Sequence, residues 1–411
     1  MAAALVAAGS EFESAPAFQA SKLLPPKALK GPHHTVSEAV KAEGFFQQFR
    51  VVSSFGEIDA EGRTVLATRL LEVDALAQLS EVSKGEVFVQ AAGGAVLNVG
   101  KGVASVVKDP GATAEGIGTG VKRLGVNLGR KAKRTADSAT QDDKKPDDPS
   151  MSGSDKAAAA GASAASSVLG INKSARKWAQ KLGVDPYTTN PVLHKALVDI
   201  GKIDSAGSIA VKVAVPIPPV VSTTASVGNL VWGADPEEVR KVNEKGAAAL
   251  GVPAETAARF FRNGNYTITS QTRFIAALGA VKAKGCADYV DAASEAKDER
   301  EALFFVESAE LLAGFHKTSP VTAVLEDSRG LVARSGDRAV ALLPFDHLYW
   351  TEPLKKAAAE IGGRAKAELG ARSLEAHVVG KASEAARSGL AAAGWQVKEG
   401  TAEGLSVKPA D

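Results

Sequence analysis

The stretch LLPFDHLYWT, residues 342–351, sets an acid beside a base among aromatic side chains. In that pattern Asp346, or another acid, would orient His347, whose imidazole would take or give a proton at a bound substrate. Phe345, Tyr349 and Trp350 would line the pocket that holds it. The same residues suit a strand-end turn whose rings fill the gap between a sheet and a helical array, and this is the commoner fate of such a cluster. Asp346 and His347 are therefore the catalytic candidates of the chain, and the three aromatics are its binding candidates.

Other motifs fail on spacing. Ser174 and Lys177 in SARK match the Ser-x-x-Lys of penicillin-recognising enzymes, where one helical turn brings lysine to serine. The partner motifs Ser-Asp-Asn and Lys-Thr-Gly are missing, with Lys-Thr-Ser at 317–319 the nearest, so the match is expected by chance. GGAVLNVGKG, residues 93–102, fails as a phosphate loop: Ala95 stands where the first glycine is required and Gly102 where the hydroxyl is required. The histidines His33, His34, His194, His316, His347 and His377 fall in no His-Glu-x-x-His or Glu-x-x-His pattern. His33 and His34 read as solvated loop residues. The lone Cys286 excludes an intramolecular disulfide and a cysteine zinc site, and a lone cysteine is usually a small buried hydrophobe. No metal and no cofactor is expected.

One stretch concentrates positive charge. From Ile117 onward, GIGTGVKRLGVNLGRKAKR reads as a helix with Ile117, Val121, Leu124 and Leu128 in one stripe. Lys122, Arg123, Arg130, Lys133 and Arg134 form the opposite, basic surface. Its glycines each cost about 1 kcal/mol relative to Ala, so the helix needs a surface to dock on. Docking on its own domain is favoured over an anionic membrane surface, because the stripe lacks Trp and Phe. The chain as a whole carries 49 basic and 47 acidic residues in 411, a net charge of +2, so no broad nucleic-acid surface is expected.

The elements that must position these residues follow from periodicity. FFQQFRVVSSFGEIDAEG reads as two strands with Phe49 and Val51 on one face, starting the structured chain near Gly44. Leu66, Leu70, Val73 and Ala77 then recur at helical spacing. Residues 87–107 read as a small-residue helix stopped at Asp109-Pro110. Residues 135–164 lack aromatics and nearly all large apolar side chains, which marks a linker that cannot offset its ordering entropy. Asn190-Pro191 and Asp235-Pro236 each announce a helix with a cap and a first-turn proline. Further helices follow, the last with Phe304, Leu311 and Phe315 on one face and Glu307 and Glu310 placed elsewhere. From Val321 the pattern turns to antiparallel strands with turns at DSRG and SGDR. A helix at EPLKKAAAEIGGRAKAELG comes next, then strand, helix and strand, with GLSVKP as one strand more. The class is α+β, mainly a helical array with short antiparallel strands near the N-terminus and in the C-terminal third.

The expected division is a leader or disordered tail at 1–32, a small α/β segment with the basic helix at 33–134, and the linker at 135–164. A helical array at 165–320 and an α+β region at 321–411 complete it. At the N-terminus, the apolar run Ala2–Ala8 and the small residues before Ala15 or Ala17 would suit signal-peptide cleavage, although the basic n-region is missing. An Ala-rich tail or a cloning remnant would read the same way. DPGATAEGIGTGVKRLG, KLGVDPYTTNPVLHKAL, LLPFDHLYWT and ARSGLAAAGWQV together resemble a family of uncharacterised exported bacterial proteins. That resemblance implies a signal peptide and a periplasmic or secreted location, and it implies no activity. The expected function is a non-enzymatic binding or scaffolding role in the cell envelope. The alternatives are an envelope hydrolase around Asp346 and His347, and a cytoplasmic nucleic-acid-binding protein.

Overall fold

A computed structural model describes residues 11–82, 171–205, 225–328 and 330–402, with 404, 405, 407 and 408 beyond them. The 87–107 helix, the basic helix with Lys122, Arg123, Arg130, Lys133 and Arg134, and the 135–164 linker lie outside the described residues. The fold is α+β, with helices between an N-terminal antiparallel sheet and a mixed C-terminal sheet.

The first sheet comprises β1 (Ala17–Gln19), β2 (His34–Val36), β3 (Ala39–Glu43), β4 (Phe46–Ser53) and β5 (Gly56–Glu61), all paired antiparallel. Short helices α1 (Ala20–Leu23) and α2 (Pro26–Leu29) join β1 to β2. Alternation along β4 buries Phe49 and Val51 and leaves Arg50 and Val52 exposed, as period 2 requires. The chain is therefore ordered well before Gly44. Within the segment read as a leader or tail, residues from Glu11 onward belong to the fold: Ala20 is fully buried, and Ala42 N–H donates to Pro16 O. A cut at Ala15 or Ala17 would remove the contacts that Phe12 and Glu13 make with the C-terminal region.

Helix α3 (Arg63–Val82) connects two cores. Leu66 and Leu70 pack with the first sheet, while Leu76 and Leu79 enter the helical array beside Trp178 and Tyr187. The array continues through α4 (Lys173–Leu182), α5 (Pro191–Ser205), α6 (Ala225–Gly233), α7 (Pro236–Ala249) and α8 (Ala254–Arg262). It is completed by α9 (Ile268–Val281), α10 (Cys286–Ala293) and α11 (Glu299–His316). Asn190 and Asp235 cap α5 and α7 through their side-chain oxygens, as their sequence signals required. Glu307 and Glu310 of α11 are not placed away from its core face: both are buried, because this helix is covered on nearly all sides.

The second sheet has the order β12-β10-β8-β7-β6, from β6 (Ala323–Val324), β7 (Leu331–Ser335), β8 (Arg338–Leu343), β10 (Ser373–Val378) and β12 (Trp395–Glu399). The β6-β7-β8 pairs are antiparallel, whereas β10 pairs parallel with both β8 and β12. Helices α12 (Glu352–Glu368) and α13 (Glu384–Ala392) make these crossovers. Val340 and Leu342 face the core that contains α11, and Ala339 and Ala341 face the core that contains α12 and α13. Both faces of β8 are thus covered, which is why Ala339–Leu343 read as an unbroken apolar run. Short strands β9 (His347–Leu348) and β11 (Lys381–Ala382) pair beside the main sheet. GLSVKP forms no strand at its described residues. Among the described residues no helix is long and apolar enough to cross a membrane.

Candidate functional site

Asp346 lies just past the carboxyl end of β8, the end where parallel strands commonly present ligand sites. Here that end is filled by the chain itself. The β3–β4 hairpin turns at Gly44 (φ 54°) and Phe45 (φ 75°), and its tip inserts beside residues 345–350. Phe45 O accepts the N–H groups of both Asp346 and His347 at 3.1 Å. Its ring meets Phe345 at 5.0 Å and Tyr349 at 5.1 Å, and Phe345 stacks on Phe304 of α11 at 5.5 Å. Trp350 is buried over Gly389 of α13, where a Cβ would come 2.4 Å from the indole. The three aromatics predicted to line a pocket therefore pack against protein, joining the sheet to the helical array.

The Asp346 carboxylate is buried and used. Its Oδ2 accepts Gln47 N–H at 2.9 Å, and both oxygens receive Arg63 N–H at 3.2 Å. Arg63 opens α3, so the carboxylate also meets the positive end of that helix. Gly62 leads the chain into α3 at φ 96°, a backbone conformation that favours glycine. Burial raises the Asp346 pKa, opposed by those two N–H donors and by the charges of Arg300 and Arg63. Arg300 caps the joint: it donates to Glu61 O at 3.1 Å, pairs with Glu307 at 2.5 Å and lies 4.1 Å over the Phe46 ring.

His347 is half-buried against Phe18, ring centroids 5.0 Å apart. Burial lowers its pKa, with Glu13 and Glu399 opposing, which favours the neutral ring. The nearby Ser383 hydroxyl donates to Glu13 Oε2 at 2.5 Å, and the same oxygen accepts Trp350 N–H. No hydrogen bond joins Asp346 to His347 among the bonds that Asp346 makes. The structure brings the five candidates together in one joint, without the acid–base geometry that their spacing suggested.

The remaining candidates are scattered. Ser174 and Lys177 lie on α4 with no hydrogen bond between them, and Lys177 is exposed. His34 is not a solvated loop residue: it is buried on β2 and bonds Ala28 O at 3.2 Å. His316 Nδ1 accepts Val321 N–H at 3.0 Å, and His377 meets Glu375 at 3.0 Å. Cys286 is buried, and burial raises its thiol pKa. Among the described residues no His, Cys, Asp and Glu side chains gather in a group able to hold a metal ion.

Sequence reading missed a seam of charge running through the helical array. Glu72 of α3 is buried and accepts Arg69 at 2.8 Å, Asn190 Nδ2 at 3.0 Å and the Thr188 hydroxyl. Arg273 of α9 grips Glu310 through two 2.9 Å bonds. Between them Asp185 accepts Tyr187 N–H at 2.8 Å and the Thr269 hydroxyl at 2.6 Å. Burial pushes the Asp185 pKa up to about 6. No local spacing announced that seam, whereas for the neighbouring Glu307, paired with Arg300, a signal was available: Phe304, Glu307 and Leu311 follow i, i+3, i+7, which sets the acid on the apolar face. No protein-family model, curated protein or solved structure matches this chain.

Proposed function

We propose that this is a non-enzymatic, exported bacterial protein that binds or scaffolds a component of the cell envelope. The observation that carries the reading is the use made of Asp346. A catalytic acid or base must reach a reacting group, and this carboxylate instead accepts backbone N–H groups from β4 and α3 in a buried joint. The aromatics beside it are spent on packing, which removes the main argument for the hydrolase alternative. Export rests on the family resemblance. Fractionation of native cells with intact-mass analysis tests it: the protein belongs in the envelope or periplasmic fraction, with a mature N-terminus no later than Glu11. Recovery from the cytoplasm with the N-terminus uncut would overturn export. Ester or peptide hydrolysis that disappears in a folded His347→Ala variant would overturn the non-enzymatic reading.

A further inference from the structure

Helices α6, α7 and α9 enclose a groove of about 300 Å³, at the small end of the range for small-molecule sites. Its walls are apolar, with Leu230 from α6, Val242 from α7, Leu250 at the C-cap of α7 and Ile275 from α9. Two features at its ends are polar. Asn243 is only 2% exposed and lines the groove, with Nδ2 donating to Thr272 Oγ1 at 2.9 Å. The Thr272 hydroxyl gives its own proton to Ile268 O at 2.8 Å, so its oxygen can only accept from Asn243. This fixes the amide orientation and leaves Asn243 Oδ1 without a donor among the described residues. That oxygen opens on the groove, where the hydroxyl or N–H of a ligand can take the place of water. At the other end Lys282, the exposed C-cap of α9, lines the mouth, and no carboxylate among the described residues pairs with it. Thr272 and Lys282 are ten residues apart on one helix, so the polar ends are separated by roughly 15 Å.

Between these ends Gly279 of α9 lines the groove. A Cβ built on Gly279 meets nothing within 4 Å, so the space over this turn of α9 is open. The exposed Val242 stands at the rim.

We propose that this groove binds a linear amphiphile, with its apolar chain laid along the walls of α6, α7 and α9, an anionic head at Lys282 and a hydrogen-bond donor on Asn243 Oδ1. The inference rests on the binding role above and names its ligand class. A short hydroxylated fatty acid has the required parts. Charge complementarity selects an anion, because Lys282 is the cation at the mouth. The free acceptor at the opposite end selects a chain that carries a hydroxyl.

Calorimetric titration of the purified full-length chain with 12-hydroxydodecanoate, dodecanoate and 1,12-dodecanediol tests the proposal. The hydroxy acid binds best, about three- to tenfold tighter than dodecanoate, the worth of one hydrogen bond. Lys282→Gln weakens both acids and leaves the diol unchanged, and added salt does the same to the native protein. Gly279→Leu fills the groove and abolishes binding of all three, while its unliganded melting temperature does not fall. Gly279→Ala gives a smaller loss of affinity should the leucine variant not fold. Absence of binding to the native chain overturns the proposal, as does a Gly279→Leu protein that binds normally. A concentration-dependent dimer that Gly279→Leu dissolves would assign the groove to a second copy and overturn it too. The titration does not depend on where the protein resides, so its failure removes the ligand class without deciding export.

Discussion

A buried carboxylate needs donors, and Asp346 finds them 299 and 283 residues away at Gln47 and Arg63. Asp346→Ala strips two buried N–H groups of their acceptor and should cost about 2–4 kcal/mol. Asp346→Asn keeps one acceptor oxygen and should cost less, and urea unfolding of both variants measures the difference. Asp185 has the opposite economy, since burial holds its pKa near 6 against an ordinary value of 3.8. A raised carboxyl pKa means that the folded state binds the proton more tightly than the unfolded state. This group therefore contributes falling stability as pH rises from about 4 to about 6, and a constant penalty above that. Asp185→Asn should flatten that segment of the stability profile. It should also stabilise the protein at pH 7.5 by about 1–2 kcal/mol, discounted because the side chain is partly exposed. An Asp185→Asn profile parallel to the native one from pH 4 to 6 would refute the assignment.

Helices in this fold are tuned by what their glycines touch. On α12 a Cβ at Gly363 meets nothing, whereas on α13 a Cβ at Gly389 would strike the Trp350 indole at 2.4 Å. Gly363→Ala should raise stability by up to about 1 kcal/mol, through helix propensity alone. Gly389→Ala should lower it by about 1–3 kcal/mol, because the indole is buried and has little room to retreat. Thermal melts of the two variants should shift in opposite directions, and a shift of the same sign would refute this account of α13 packing. The caps were the most legible features at this scale. The capping oxygens of Asn190 and Asp235 accept N–H groups within the next three residues, so nearby sequence is enough to announce them. The seam of Glu72, Asp185 and Arg273 was illegible because its partners come from α3, the 183–190 turn and α9, and no local pattern pairs them.

At the scale of the molecule, the N-terminal sheet is tied to the C-terminal sheet by three kinds of contact. The hairpin tip at Phe45 sits in the aromatic joint, Asp346 meets the start of α3, and Glu13 bonds both Trp350 N–H and Ser383 Oγ at 2.5 Å. The composition of residues 135–164 predicts fast limited proteolysis there. The two fragments should then co-elute on size exclusion, since buried aromatic packing and the Glu72 bonds to Thr188 and Asn190 cross the cut. Separate elution without denaturant would refute the joint as a stabilising contact. Asp346→Ala should promote that separation, and Lys177→Gln, an exposed change on α4, should not.

The sequence by itself determined the α+β class, the strands on either side of SSFG, the apolar stripe of α3 and the starts of α5 and α7. Each of these depends on residues a few positions apart, where period and cap chemistry act directly. Tertiary structure decided the rest. Whether β10 runs parallel or antiparallel to β8 depends on the path of α12, and the apolar run AVALL is the same in either case. Antiparallel pairing continues only through β6, β7 and β8, which turns join directly. Residues 11–29 carry a composition that suits a tail, yet Ala20 is buried because the first sheet and α3 supply its walls, and Glu13 finds its donors in the C-terminal region. The acid, the base and three rings of LLPFDHLYWT were legible as a cluster, but their role was not. A carboxylate serves catalysis or structure according to what reaches it, and the groups that reach Asp346 are backbone amides brought from the opposite end of the chain.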